Sequence, residues 1–288
     1  MFEPSEPQTF PIVWTAAGSD SGGGAGIQAD LRTFSYLKVY GCSVITALTA
    51  QNPREVKRVE AVSPEMVASQ LQALWEVLPP AGMKTGMLFS LPVIEILGEF
   101  LREKKIPTVT DPVMVSTSGR SLLEKEALNS LRKNLFPHAT LLTPNIPEAE
   151  LLSGQKITSF EEMLQSAVKC VSLFNCSILL KGGHLQGGKE CTDLFLSRED
   201  NKALFLTAPQ LSFPPYASHG TGCTLSAAIT AFLAKGHSLP ESIKKAKAFV
   251  LGSLTESVQL QKEIFAMFPP ARPLEEYEKM IQCREETL

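Results

Sequence analysis

The chain has 288 residues, is 44% hydrophobic, and carries 27 basic against 30 acidic side chains, a net charge of −3. That excludes a disordered or strongly charged chain, leaves room for one large α/β domain or two small ones, and offers no basic run for a nucleic acid. Six scattered cysteines form no CxxC pair or His/Cys cluster, which argues against structural zinc and a disulfide framework.

Met1 to Phe10 is acidic and proline-bearing, so it reads as an extension (residues 1–11) and not as a signal peptide. No run approaches the ~20 apolar residues of a membrane span, and the expected compartment is the cytoplasm. Pro11 to Ala17 is a strand-like run that breaks at a glycine loop, Gly18 to Gly26, and Ile27 to Val39 has helical spacing. Strand, glycine loop and helix make a ligand-binding corner of an α/β sheet. Gly24-Ala25-Gly26-Ile27-Gln28-Ala29 satisfies a dinucleotide fingerprint, but no Asp or Glu lies between Asp30 and Glu55 to take a ribose. A dehydrogenase is therefore discounted.

Cys42 to Leu48 is a second strand, running into Thr49-Ala50-Gln51-Asn52. Ser63-Pro64 starts a helix whose Val67, Leu71, Leu74 and Leu78 form a core-facing stripe. Ala81 to Leu88 is a short strand, Leu91 to Lys105 a helix, and Pro107 to Thr110 a strand that ends in Asp111-Pro112. Leu122 to Leu135 is helical, and the strand Ala139 to Thr143 leads to Pro144-Asn145-Ile146-Pro147-Glu148. A helix from Phe160 to Phe174 precedes the strand Ser177 to Leu180, which ends in Lys181-Gly182-Gly183. Gly183-x4-Gly188-Lys189 resembles a P-loop, but no Ser or Thr follows the lysine and a strand comes next, so it is rejected. Cys191 to Ser197 and Ala203 to Ala208 form an antiparallel pair. A long helix runs from Pro240 to about Leu260. The residues after it, 263–288, read as a charged helical tail beyond a single domain at 12–262. Alternating strands and helices imply a mostly parallel sheet with helices on both faces.

The most informative stretch is Ser218-His219-Gly220-Thr221-Gly222-Cys223, a glycine turn that opens a helix reaching Ala234. Such a helix start points unpaired N–H groups at an anion, naturally a phosphate. Cys223 lies in its first turn, where the thiolate is favoured and the pKa is expected to fall. In an open parallel sheet, ligands bind beyond the carboxyl ends of the strands. Asp20, Gln51, Asp111, Asn145, Glu148, Lys181 and the 220–223 turn would then share one rim. Asp111, Asn145 and Glu148 offer hard oxygens for Mg²⁺, directly or through water. Taken alone, Glu148 reads more readily as a first-turn helix carboxylate that complements the dipole. Lys181 is a mobile cation for phosphate oxygens. The turn steadies a transferring phosphoryl group, and Cys223 can take the proton of an attacking hydroxyl.

Seven motifs in one order resemble the bacterial hydroxymethylpyrimidine/phosphomethylpyrimidine kinases of the ribokinase-like superfamily. They are Gly18-Ser19-Asp20 with Gly26-Ile27-Gln28-Ala29-Asp30, Thr46 to Asn52, Lys84-Thr85-Gly86-Met87-Leu88, Asp111-Pro112-Val113-Met114, Thr143-Pro144-Asn145-x-Pro147-Glu148, Lys181-Gly182-Gly183-His184 and His219-Gly220-Thr221-Gly222-Cys223. The resemblance spans residues 12 to 262. It implies a homodimer that uses ATP and Mg²⁺ to phosphorylate a hydroxymethyl pyrimidine twice in thiamine synthesis. By motif position Asp30 and Gln51 would bond the aminopyrimidine edge, Met87 would pack on the ring, and Gly18 would line the pocket. Gln51 suits that edge chemically, since an amide both donates and accepts. Pyridoxal or pyridoxine kinase is the nearest alternative, because some vitamin B6 kinases share the cysteine. A ligand sensor without catalysis is the alternative of another class, and it would have lost Asp111, Glu148 or the turn.

Overall fold

The computed structural model describes residues 9–114, 127–183, 185, 189–200 and 202–288. Its elements in chain order begin with β1 (Ile12–Asp20), α1 (Gly26–Tyr36), β2 (Tyr40–Gln51), β3 (Val56–Ala61) and α2 (Pro64–Val77). Next come β4 (Gly82–Thr85), α3 (Leu91–Lys104), β5 (Thr108–Thr110), α4 (Ala127–Ser130) and β6 (Leu141–Leu142). Then follow α5 (Ile146–Ser153), α6 (Phe160–Phe174), β7 (Ser177–Leu180), β8 (Glu190–Leu196), β9 (Lys202–Pro209), α7 (Thr221–Ala234) and α8 (Leu239–Thr255). The chain closes with β10 (Val258–Gln261), β11 (Ile264–Ala266), α9 (Leu274–Glu278) and β12 (Gln282–Thr287).

Among the described residues, ten strands form one sheet in the order β12-β9-β8-β7-β6-β5-β4-β1-β2-β3. The centre, from β2 to β7, is parallel. Both flanks are antiparallel. Alternation along β1 sends Trp14 and Ala16 to one face and Val13 to the other. The first face packs Val67 and Leu71 of α2, Leu97 of α3, Leu152 of α5 and Met163 of α6. The second packs Phe34 of α1, Ile229 of α7 and Phe249 of α8. The α/β fold with helices on both faces agrees with the sequence reading.

Three local expectations change. The first strand does not stop before the glycine loop but continues to Asp20, with a register shift between Ala17 and Ser19. The last long helix ends at Thr255, and Val258–Gln261 is a strand, in keeping with the alternation Val258, Gln259, Leu260, Gln261. The C-terminal stretch is not helical beyond α9. β12 pairs antiparallel with β9 from Gln282↔Thr207 to Thr287↔Lys202 and extends the main sheet. The open edge of β9 overrides the weak strand propensity of Arg284-Glu285-Glu286, and Arg284 lies 4.3 Å over the Phe205 ring. Of the expected helix 122–135, residues 122–126 lie outside the described residues. So do Gly188 of the rejected P-loop, His184 and residues 1–8 of the extension.

Candidate active site

The carboxyl ends of β1, β2, β5, β6 and β7 and the turn before α7 enclose a cavity of about 350 Å³. Gly18, Gln51, Met87, Asp111, Asn145, Glu148, Lys181, Gly220, Thr221, Gly222 and Cys223 all line it. Of the residues expected at the site, Asp30 alone does not.

Two glycine loops meet at its floor. Gly220 caps α7 with φ of +85°, and a Cβ there would stand 1.9 Å from the Gly24 carbonyl oxygen. Only glycine allows both the backbone angle and the contact. α7 starts without an acidic residue in its first turn, so its free N–H groups face the cavity side uncompensated. A Cβ on Gly222 would lie 3.2 Å from Asp111 Oδ2 and 3.4 Å from Lys181 Nζ, which puts both charges at the mouth of the turn.

Lys181 is not a roaming cation. Its Nζ donates to Asp111 Oδ1 at 2.9 Å, and Thr143 Oγ1 donates to the same oxygen at 3.3 Å. Burial works against the lysine's charge, but Asp111 and Glu148 outweigh it and raise its pKa. Asn145 and Glu148 form a reciprocal cap on α5. Asn145 Oδ1 accepts from Glu148 N at 2.9 Å, and Glu148 Oε2 accepts from Asn145 N at 2.8 Å. Burial raises Glu148 to about 7. Lys181 opposes that shift and the Asp111 charge adds to it. Two carboxylates crowded in this way favour a cation between them.

Cys223 departs from expectation. Burial lifts its thiol to about 11 from an ordinary 9.0. Lys84 pulls it down, while Asp30 and Asp111 push it further up. Desolvation beside two carboxylates defeats the helix start, so the thiol is protonated at rest.

Asp30 is also corrected. It is fully buried under the cavity, where its Oδ2 accepts from Lys84 Nζ at 2.7 Å and from Thr15 Oγ1 at 2.7 Å. It is the buried partner of Lys84 and does not line the cavity. His219 is the residue that sequence reasoning passed over. It lines the cavity, 3.2 Å from both Gln51 Nε2 and Asp20 Oδ2. Its signal was its place directly before Gly220 in a motif read for its glycines.

A second cavity of about 360 Å³ shares Lys181, Gly183, Ser218, Thr221 and Gly222 with the first. Its far wall is apolar, built by Leu211, Phe213, Leu225, Val250 and Leu254. Lys247 Nζ donates to Asp193 Oδ2 at 2.6 Å, and Gly182 N donates to Asp193 Oδ1 at 3.0 Å, which fixes the loop that carries Lys181. A lysine inside the apolar run Ala246 to Phe249 was the available sign of that pair.

Two cavities that meet at a helix N-terminus, one with a polar amide wall and one apolar, suit transfer of a phosphoryl group between two ligands. Sheet, helices and site define a ribokinase-like small-molecule kinase. The family model for phosphomethylpyrimidine kinase matches residues 20–267. The chain belongs to that family. A hydroxymethylpyrimidine/phosphomethylpyrimidine kinase from Rhizobium meliloti is 45% identical over 87% of this chain and 92% of that protein. The thiamine biosynthesis bifunctional protein ThiED of Geobacter sulfurreducens is also 45% identical, over 88% of this chain and 51% of that longer protein. Among solved structures, the pyridoxal kinase of Staphylococcus aureus in complex with pyridoxal has a TM-score of 0.83 at 30% identity, covering 98% of this chain and 100% of that one. The same enzyme has been solved with AMP-PCP and pyridoxal together, at a TM-score of 0.80, 29% identity and the same coverage.

Proposed function

We propose that the chain transfers the γ-phosphoryl group of ATP to the hydroxymethyl oxygen of 4-amino-5-hydroxymethyl-2-methylpyrimidine. It then phosphorylates the monophosphate to the diphosphate, for thiamine biosynthesis. The observation that carries the reading is a single cavity that presents Gln51 and Met87 together with the 220–223 turn. Gln51 offers a donor and an acceptor to an aminopyrimidine edge, and Met87 gives an adaptable apolar surface for the ring. Gly18 leaves room for that methionine, since a Cβ there would stand 2.4 Å from Met87 Cε.

In each step the acceptor oxygen bonds to phosphorus as the bridge to ADP breaks. The N–H groups at the start of α7 and the Lys181 ammonium meet the charge on the transferring group. Cys223 takes the hydroxyl proton in the first step, acting through its minor thiolate form. The second cavity takes the nucleotide, with the base against its apolar wall. Asp111 and Glu148 fit Mg²⁺. Their like charges are crowded, and the described residues hold no cluster of three or more metal-binding side chains. That donor set suits an ion that keeps water and phosphate oxygens in its shell. Bound there, Mg²⁺ would neutralise phosphate charge.

Gln51→Ala is expected to raise KM for the pyrimidine about tenfold or more, through the loss of a paired polar contact, with KM for ATP unchanged. Steady-state kinetics in each substrate measure it, and an unchanged pyrimidine KM removes Gln51 from the site. Pyridoxal is the competing acceptor, favoured by the structural likeness to the S. aureus enzyme, and belongs in the same assay. We also read the enzyme as a homodimer, as the family resemblance implies, with the cytoplasm as its expected compartment. Light scattering should give twice the 31.4 kDa of one chain, and a single-chain mass contradicts the dimer.

A further inference from the structure

One ring nitrogen near the centre of the site faces two incompatible neighbours. His219 Nε2 lies 3.2 Å from Asp20 Oδ2 and 3.2 Å from Gln51 Nε2. A carboxylate oxygen accepts only, so it requires an N–H on the ring. An amide nitrogen donates only, so it requires a bare ring nitrogen. One nitrogen cannot satisfy both.

Asp20 is the neighbour that cannot yield. It is buried, and its carboxylate already accepts backbone N–H bonds from Gly22 at 2.8 Å, Ala25 at 2.9 Å and Gly24 at 3.1 Å. Burial pushes its pKa up, but the bonds from His219 and these amides more than offset that and hold it below the ordinary range. The ring packs on Gly24, in the space a side chain would fill, since a Cβ there would stand 2.5 Å from His219 Cδ2. Gln51 can yield. A half-turn of its amide exchanges oxygen and nitrogen with no change of shape, and Thr49 Oγ1, 3.4 Å from Gln51 Oε1 and already donating to the Ser19 carbonyl at 2.9 Å, can accept from the amide nitrogen in its place.

We propose that His219, held as an Nε2–H donor by Asp20, turns the Gln51 amide so that Oε1 faces the ring, and so sets the donor–acceptor order that Gln51 shows to the acceptor. This rests on the reading that Gln51 faces the acceptor's ring edge. His219 is then a positioning residue that determines specificity. An aminopyrimidine presents a ring-nitrogen acceptor beside an N–H donor. The matching 4-oxo pyrimidine presents a ring N–H beside a carbonyl acceptor, the reverse order. A fixed amide matches the first and clashes with the second, whereas a freely turning amide serves both.

The test compares kcat/KM for 4-amino-5-hydroxymethyl-2-methylpyrimidine with that for its 4-oxo analogue, using the full chain and Mg-ATP. His219→Phe keeps a ring against Gly24 and removes the nitrogen. The amino-to-oxo preference is expected to fall roughly tenfold in this variant, the scale of one buried polar mismatch, while KM for ATP holds. An active variant with an unchanged preference overturns the proposal. A second measurement does not depend on the variant. In the imidazole NMR spectrum of histidine-labelled wild type, His219 is identified by replacing the other three histidines in turn. The proposal expects a proton on its Nε2 at about pH 8, above the ordinary histidine range, and a bare Nε2 overturns it. If wild type phosphorylates neither pyrimidine, the functional reading fails, and the NMR result alone decides the state of His219.

Discussion

Lys84→Met is expected to lose about 3–5 kcal/mol of folding stability, because it strands a carboxylate in the interior. Lys84 on β4 and Asp30 on α1 are both fully buried, 2.7 Å apart. Asp30 Oδ1 already has no hydrogen-bond partner, and Thr15 alone would remain on Oδ2. Lys84 keeps its charge because Asp30 and its neighbours outweigh desolvation. Burial raises the Asp30 pKa, and Lys84 is the main force holding it down. Without the lysine, the folded pKa of Asp30 rises further above its unfolded value. The folded variant then binds more protons than the unfolded chain. The Asp30 contribution is most favourable in acid and is lost as pH rises toward that folded pKa, so the deficit against wild type widens from mildly acidic to neutral pH. Denaturant unfolding at several pH values measures this. Lys84→Met with Asp30→Leu should recover most of the loss, since it removes both charges. A single variant as stable as wild type at neutral pH contradicts the buried ion pair.

Cys223→Ala is expected to lower kcat by roughly 10²–10⁴ and leave ATP binding intact, the usual cost of removing a positioned proton acceptor. The pH dependence follows from the raised pKa. A base works only when deprotonated, and a thiol raised to about 11 is protonated across the neutral range. Its thiolate fraction climbs about tenfold per pH unit below that value. The wild-type rate for the first phosphorylation should therefore rise with pH from about 7 to 9, and the alanine variant should lose that slope. Calorimetric titration with ATP checks that the variant binds nucleotide. Equal turnover in the two proteins removes Cys223 as the base.

The site was legible because its residues fall at successive strand ends. Lys181 after β7, Asn145 after β6 and Asp111 after β5 need only a parallel sheet to become neighbours. Asp30 was misread because its motif was weighed above its period. Ile27, Asp30 and Phe34 lie three and four apart on α1, and all three face inward. The thiol of Cys223 was misread because proximity to a helix start shows in sequence, while burial beside Asp30 and Asp111 requires the fold. β12 has every residue exposed, so it carries no apolar alternation from which a strand could be read. His219 lay in plain view, but its partners Asp20 and Gln51 come from distant segments and only the meeting of the two loops unites them.

The most direct test of the account is mass spectrometry of the products formed by the purified chain with Mg-ATP and 4-amino-5-hydroxymethyl-2-methylpyrimidine. The account predicts the pyrimidine monophosphate first and the diphosphate after it, with ADP released at each step. Phosphorylated pyridoxal from a parallel reaction, with no phosphorylated pyrimidine, would contradict it.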